Sequence, residues 1–364
     1  MKTSEVTHFL TTINIPQFQE DLINWFEKEK RDLPWRHDQD PYKVWVSEIM
    51  LQQTKVDTVI PFFNNFLTKF PTLDHLAQAE EQEVLKAWEG LGYYSRARNL
   101  QTAVREVVAS YDSIVPTDQK QLGALKGIGP YTKGAILSIA YNQPEPAVDG
   151  NVMRVLSRIL KVEEDIAKQS TRRLFEALVY KLISVESPSA FNQGLMELGA
   201  LICTPKSPSC LVCPVREHCE AFEEGIQQEL PIKSKAKKQK ELTYYVLLIK
   251  DKKGRYLIEQ RPEDGLLANM WQFPMVSMDD VDSDQLVAWI HQNYGIDITV
   301  KDQLHDVKHI FSHVIWKLKV MTAESNSEDI LARNYKFVPY DRLEEYPFPV
   351  PHQKVRNQIE KDDD

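Results

Sequence analysis

The sequence predicts two units of different fold class: a mainly α-helical one over residues 1–225 and a smaller α+β one over residues 242–364, joined by a basic linker at 226–241. Three observations carry this expectation. Apolar residues recur at helical spacing through the first part of the chain. All four cysteines fall between Cys203 and Cys219, where that pattern stops. Beyond Leu242 short strand-like runs take over. A chain of 364 residues, 42% hydrophobic and 27% charged, suits two or three globular domains.

In the first unit, amphipathic runs at Phe18–Lys28, Val44–Asn65, Glu81–Trp88, Ala97–Ser110, Lys133–Tyr141, Val152–Leu160 and Thr171–Ser184 predict helices. Asp40-Pro41 is a helix start, a capping carboxylate followed by proline at the first turn. The run Leu125-Lys126-Gly127-Ile128-Gly129-Pro130-Tyr131-Thr132 leads straight into the apolar stretch Gly134–Ala140. Gly127 and Gly129 permit a sharp turn, and the helix start behind them offers N–H donors and a positive dipole end that can hold a phosphate. Pro130 supplies no N–H, so its neighbours must donate. On its own this is the pattern of an ordinary tight turn.

The linker brings Lys233, Lys235, Lys237, Lys238 and Lys240 with few large apolar residues. It reads as a solvated tether whose lysines can also touch a phosphate backbone. In the second unit, strands are expected at Leu242–Lys250 and Arg255–Gln260 around a turn at Lys253-Gly254. A helix at Asp284–Tyr294 is closed by Gly295, and further strands are expected at Val314–Met321 and Tyr335–Val338.

No apolar run approaches the ~18 residues of a membrane span. The first residues lack the basic-then-apolar pattern of a secretory signal, so the expected location is cytoplasmic, where thiols stay reduced. A net charge of −9 argues weakly against a nucleic-acid partner, but one basic face is enough to hold phosphates, and composition leaves the partner open.

Cys203, Cys210, Cys213 and Cys219 are separated by six, two and five residues. Four thiolates in so short a window suit zinc or an iron–sulfur cluster, and spacing alone does not choose between them. Closing a helical domain, however, this spacing resembles the endonuclease III superfamily of DNA glycosylases, and that resemblance implies a [4Fe–4S] cluster. Lys206 and Arg216 stand in the same loop, where they could meet phosphate. The resemblance also turns the Gly127–Gly129 run into a helix–hairpin–helix element for DNA.

Cleaving an N-glycosidic bond calls for an acid on the base side and an anion beneath the sugar, so two carboxylates in different environments are needed. Glu48 lies among Val44, Trp45, Ile49 and Leu51, where burial would keep it protonated. Asp149 precedes the helix at Val152–Leu160, whose N-terminus favours an ionised carboxylate. A surface glutamate and a plain N-cap are the ordinary alternatives.

The runs WVSEIMLQQT, EGLGYYSRARNL, LKGIGPYTKGAI and PAVDGNVMRVLSR are together very similar to the MutY adenine DNA glycosylases. The similarity is strong from Phe18 to Phe222 and weaker beyond. It implies a monofunctional glycosylase excising adenine opposite 8-oxoguanine or G in duplex DNA, acting as a monomer. Glu48 matches the acid that protonates adenine N7, Asp149 the carboxylate that stabilises the oxocarbenium carbon, and Tyr131 and Asn151 supporting residues. Strand-cleaving relatives carry lysine where this chain has Tyr131, which argues against an efficient lyase step. Lys133, two residues on, should point elsewhere. Arg31, Leu33, Trp35, Arg36 and Gln193 match the adenine pocket, although Trp35 is equally suited to core packing. Gln53, Thr54, Leu91 and Tyr93 match residues that touch or wedge the duplex near the opposite base.

The family's C-terminal domain is Nudix-like and reads 8-oxoguanine. Gly265–Pro274 resembles the start of the Nudix motif, but the helix after it lacks the clustered glutamates that hold magnesium, so nucleotide hydrolysis is not expected. Phe311-Ser312-His313 matches the reading loop, and a hydroxyl and an imidazole suit the N7–H and O8 edge. A plain hairpin turn would look alike. The competing functions are a bifunctional glycosylase/lyase for damaged pyrimidines and a non-catalytic lesion-binding protein.

Overall fold

The computed structural model describes residues 3–235, 238–327 and 334–359. By compactness the chain divides into Met1–Ala77 with Thr102–Ala236, and Gln78–Gln101 with Lys237–Asp364.

The first unit is helical. Asp40 caps the helix Pro41–Leu51, accepting from the Tyr42 and Lys43 amides at 2.8 and 3.4 Å. That helix is buried at Tyr42 and from Val44 to Met50, as expected of one apolar on nearly every side, and it packs on the helix Pro130–Tyr141. The long helix expected over Val44–Asn65 is instead two, Pro41–Leu51 and Val56–Lys69. Gln53 between them takes a left-handed φ of 66°, which ends the first helix and re-aims the second. Helices Pro188–Leu201 and Gly150–Ile159 pack against each other, burying Phe18, Leu22, Leu156, Phe175, Phe191 and Leu195 in one core.

The expected linker is partly docked. Ile166 N–H donates to the Ile232 carbonyl at 3.0 Å, and Ser234 N–H to Asp165 at 3.1 Å. Lys233, Lys235, Lys238 and Lys240 are exposed, and Lys237 lies outside the described residues.

The second unit is built on strands β1 (Lys240–Asp251), β2 (Arg255–Gln260), β3 (Trp271–Gln272), β4 (Met275–Ser277), β5 (Ile298–Gln303), β6 (Val307–Ile310), β7 (Val314–Ser325) and β8 (Tyr335–Pro339). Their order is β3-β2-β1-β7-β5, with β4 on β1, β6 on β7 and β8 on β2. β1 and β7 run parallel, Lys240 opposite Val314 through Asp251 opposite Ser325. Val246 and Leu248 of β1 enter a core with Phe273, Trp316 and Phe348. Tyr245, Leu247 and Ile249 enter the opposite one with Leu286 and Ile290. A strand covered on both faces reads as a continuous apolar run, which is why this segment does not alternate. The helix Leu286–Tyr294 ends on Gly295 at φ 69°, as its sequence predicts.

Helix Glu81–Ala87 and the loop after it belong to this unit. The Trp271 indole N–H donates to Gln82 Oε1 at 3.0 Å, Asn269 Nδ2 to Glu81 Oε1 at 2.6 Å, and the Phe348 amide to Glu89 Oε1 at 2.8 Å.

Candidate active site

Glu48 projects from the middle of its buried helix and is only 5% exposed. The Tyr131 hydroxyl, one residue into the facing helix, donates to Glu48 Oε2. Burial pushes the Glu48 carboxyl up from 4.5 to about 7, and the nearby Asp149 charge pushes the same way. The Tyr131 hydroxyl and the Arg36 guanidinium pull against them. Burial and the two carboxylates hold the Tyr131 phenol well above its ordinary value, so it stays a neutral donor.

Asp149 caps the helix Gly150–Ile159: Oδ1 accepts from the Val152 amide at 2.7 Å and Oδ2 from Asn151 Nδ2 at 3.0 Å. Asn151 Oδ1 accepts from Arg154 Nη2 at 2.9 Å, and Arg154 also donates to the carbonyls of Gly199 and Cys203. The helix start accounts for only part of the electrostatics at Asp149. Burial raises the Asp149 pKa above 3.8, opposed by the Val152 and Asn151 donors and by Arg154.

Two glycines let these parts meet. A Cβ on Gly134 would lie 1.8 Å from the Pro146 carbonyl oxygen, so only glycine lets the segment leading to Asp149 lie against the Tyr131 helix. A Cβ on Gly199 would lie 2.8 Å from Asn151 Cβ. The fully buried Asn192 fastens the same segment, donating to Ser138 Oγ at 2.9 Å and the Glu145 carbonyl at 2.8 Å.

Beside this pair, Arg31 and Arg36 converge on Glu197, which is almost wholly buried. Arg31 makes a two-pronged contact, Nε to Oε1 and Nη2 to Oε2, both at 2.8 Å, and Arg36 Nη2 reaches Oε2 at 3.0 Å. Burial would raise the Glu197 pKa, yet the two guanidiniums outweigh it and hold it at about 2. Arg36 Nε donates to Gln193 Oε1 at 3.1 Å, and Gln193 Nε2 to Ser189 at 3.1 Å. Leu33 and Trp35 are buried, and the Trp35 ring meets Phe63 edge-on at 5.4 Å. Gln53 is exposed, and the Thr54 amide donates back to Leu51 at 3.3 Å. Gly127 takes φ 82° and Gly129 is the N-cap before Pro130, both exposed. Lys133 faces Glu145 at 3.9 Å in a separate trough with Arg173 and Tyr180.

The free thiols of Cys203, Cys210, Cys213 and Cys219 line one cavity. Burial pushes Cys213 up to about 12 and Cys219 to about 11, so bare thiolates at these two would be costly and a metal centre would offset that cost. Arg158, 1% exposed, donates to Cys203 Sγ at 3.2 Å and the Thr204 carbonyl at 2.8 Å. Among the described residues no three His, Cys, Asp or Glu side chains close around one point that would hold a single ion. A cubane takes one thiolate at each iron, so its ligands need not share a point, and the donor set fits it. Arg216 bonds to Glu217 at 2.8 Å and Lys206 is exposed.

In the second unit Leu91 and Tyr93 line a cleft of about 500 Å³ with Gly265–Ala268 and His309–His313. Tyr93 has φ 50° and is exposed, with the Arg96 guanidinium 4.2 Å from its ring, whereas Leu91 is 9% exposed. Phe311-Ser312-His313 forms the turn between β6 and β7, closed by the Phe311 amide on the Val314 carbonyl at 2.8 Å. Ser312 and His313 are exposed, and burial lowers the His309 pKa.

Residues 46–181 match the HhH-GPD superfamily of base excision DNA repair proteins, and residues 245–358 match the NUDIX domain. The chain is 35% identical to an adenine DNA glycosylase of Rattus norvegicus, over 84% of this chain and 70% of that one. It belongs to the adenine DNA glycosylase family. An adenine DNA glycosylase of Arabidopsis thaliana is 36% identical over 82% of this chain but 56% of its own length, so the chain spans about half of that relative. A thermostable thymine-DNA glycosylase structure superposes with a TM-score of 0.51 at 27% identity, covering 58% of this chain and 97% of that one.

Within this family member, sequence reasoning missed Glu197, Arg154, Asn192 and Gly134. Glu197 had the same signal as Glu48, a carboxylate between Met196 and Leu198. The others carry no chemistry of their own and act by holding loops. No described helix is long and apolar enough to cross a membrane.

Proposed function

We propose that the protein removes adenine mispaired with 8-oxoguanine, and with G, by hydrolysing the N-glycosidic bond in base excision repair. The observation that carries this reading is the buried Glu48, its pKa raised to about 7 beside Asp149 and bonded to the Tyr131 hydroxyl. A carboxyl in that range holds its proton for part of the population at neutral pH and can deliver it to a base. The target adenine leaves the stack and enters beside Arg31, Leu33, Trp35, Arg36 and Gln193. Glu48 gives its proton to adenine N7, the C1′–N9 bond breaks, and the electron pair leaves with the neutral base. Asp149 stabilises the positive sugar carbon, held in place by Asn151 and the Val152 amide. Water adds at C1′ and gives a proton to the Glu48 carboxylate, which restores the acid, and an abasic site remains. Tyr131 occupies the lysine position of strand-cleaving relatives, so base removal is the whole reaction.

We assign catalysis to residues 1–225, a basic tether to 226–241 and lesion reading to 242–364, with the protein working as a cytoplasmic monomer. Gly127 and Gly129 present the hairpin to a phosphate. Gln53, Thr54, Leu91 and Tyr93 contact the duplex at the opposite base, and Phe311, Ser312 and His313 read 8-oxoguanine. Cys203, Cys210, Cys213 and Cys219 hold a [4Fe–4S] cluster, which when bound supplies a rigid cross-link to this loop.

A single-turnover assay on a duplex with one A:8-oxoG pair, with and without alkali, tests the proposal. Strand breaks should appear only after alkali. Breaks without alkali would establish a lyase, and no abasic product at all would leave a lesion-binding protein.

A further inference from the structure

Arg261 stands behind the cleft of the second unit, bonded to one wall and reaching the other through Trp316. Its Nε donates to the Leu266 carbonyl at 2.9 Å, within the Gly265–Ala268 wall. Its guanidinium lies 5.6 Å from the Trp316 ring, which meets Phe311 of the other wall edge-on at 5.0 Å. The fork itself is aimed from behind. Nη1 donates to Gln272 Oε1 at 2.6 Å, and Gln272 Nε2 donates to Glu259 Oε1 at 2.6 Å. Glu259 Oε2 accepts from the Tyr294 hydroxyl at 2.6 Å. Neither Gln272 nor Glu259 lines the cleft. A planar guanidinium with donors in fixed directions can bond to a loop, bond to a relay and stack on an indole at once, which an ammonium cannot.

We propose that Arg261 is a specificity-positioning residue: through Leu266 and Trp316 it fixes how far the Gly265–Ala268 wall stands from the Phe311–His313 turn. That spacing decides how well a purine carrying an extra oxygen at C8 is told from one that lacks it. Arg261 itself touches neither base nor sugar. This rests on the reading of the Phe311–His313 turn as the 8-oxoguanine reader.

The test compares single-turnover rates on A:8-oxoG and A:G duplexes for Arg261→Met, Arg261→Lys and the Ser312→Ala/His313→Ala double variant of the full protein. Arg261→Met should lower the ratio of the two rates about tenfold, the scale of losing one hydrogen bond from a charged group, with the A:G rate unchanged. Arg261→Lys keeps the charge and can restore one of the two bonds, so it should lose roughly threefold. It carries the test if the methionine variant does not fold. Both rates falling together would mean a merely structural role and overturn the proposal. An unchanged ratio in the Arg261 variants, with a reduced one in the Ser312/His313 variant, would overturn the Arg261 assignment alone. An unchanged ratio in the Ser312/His313 variant would remove the reader and this inference with it.

Discussion

Replacing Tyr131 by phenylalanine should move the alkaline limb of the rate profile upward. In the proposed mechanism the working form has Glu48 protonated, so the rate should fall as pH rises through its pKa of about 7. Burial and Asp149 raise that value, and the hydroxyl of Tyr131 lowers it by stabilising the anion. The phenyl ring of the variant keeps the burial and the Asp149 charge but removes the donor. A hydrogen bond to a charged group contributes about 1.5–3 kcal/mol, and one pKa unit corresponds to about 1.4 kcal/mol. The limb should therefore shift by about one to two units, to the region of pH 8–9. In the same mechanism the acid limb reports Asp149, which acts ionised. It should lie above pH 3.8, because burial raises that carboxyl, and should stay nearly in place. Single-turnover excision from about pH 3.5 to 10 gives both limbs whatever the plateau rate of the variant. An alkaline limb that stays near 7 or moves down would refute the assignment of Glu48 as the acid with Tyr131 as its donor.

Other outcomes follow from the same geometry. Glu48→Gln should retain duplex binding in a gel-shift titration while losing most base excision, and near-normal excision would remove Glu48 from the mechanism. Glu197→Gln should cost ~3 kcal/mol at pH 7, because a carboxyl displaced from about 4.5 to about 2 stores that much. This stability is fully present above the unfolded value and is lost as pH falls toward 2, so the urea-melt gap between the two proteins should close between pH 5 and pH 2. A constant gap would contradict the ion-pair account. Purified protein should contain iron, and Cys213→Ser should lower it. Zinc by elemental analysis, or unchanged iron in the variant, would overturn the ligand assignment.

The parts of this molecule that were legible in sequence are those where local chemistry decides the outcome. Asp40-Pro41 starts a helix, Gly295 ends one, and a carboxylate amid Val44, Trp45 and Ile49 is buried. The rest depends on contacts far along the chain. Nothing near Gln53 announces a left-handed residue, so one amphipathic run looked like one helix where there are two. Strands β3 and β4 are two and three residues long, too short to show a period, and their backbone partners lie on β2 and β1. Asp149 looked like a simple anion because a helix start is visible in sequence and the walls around a carboxyl are not. Glu197 was readable by the rule that found Glu48, but its significance lies in Arg31 and Arg36, more than 150 positions away.

The attachment of helix Glu81–Ala87 to the C-terminal sheet bears on how such a protein can be recombined. Chain order places Gln78–Gln101 inside the helical half, yet its hydrogen bonds through Glu81, Gln82 and Glu89 make it part of the other unit. A crossover at the linker between two diverged relatives would separate Gln82 from the Trp271 it evolved with. The heritable module is therefore discontinuous, and a graft of the C-terminal domain is complete only if these twenty-four residues travel with it.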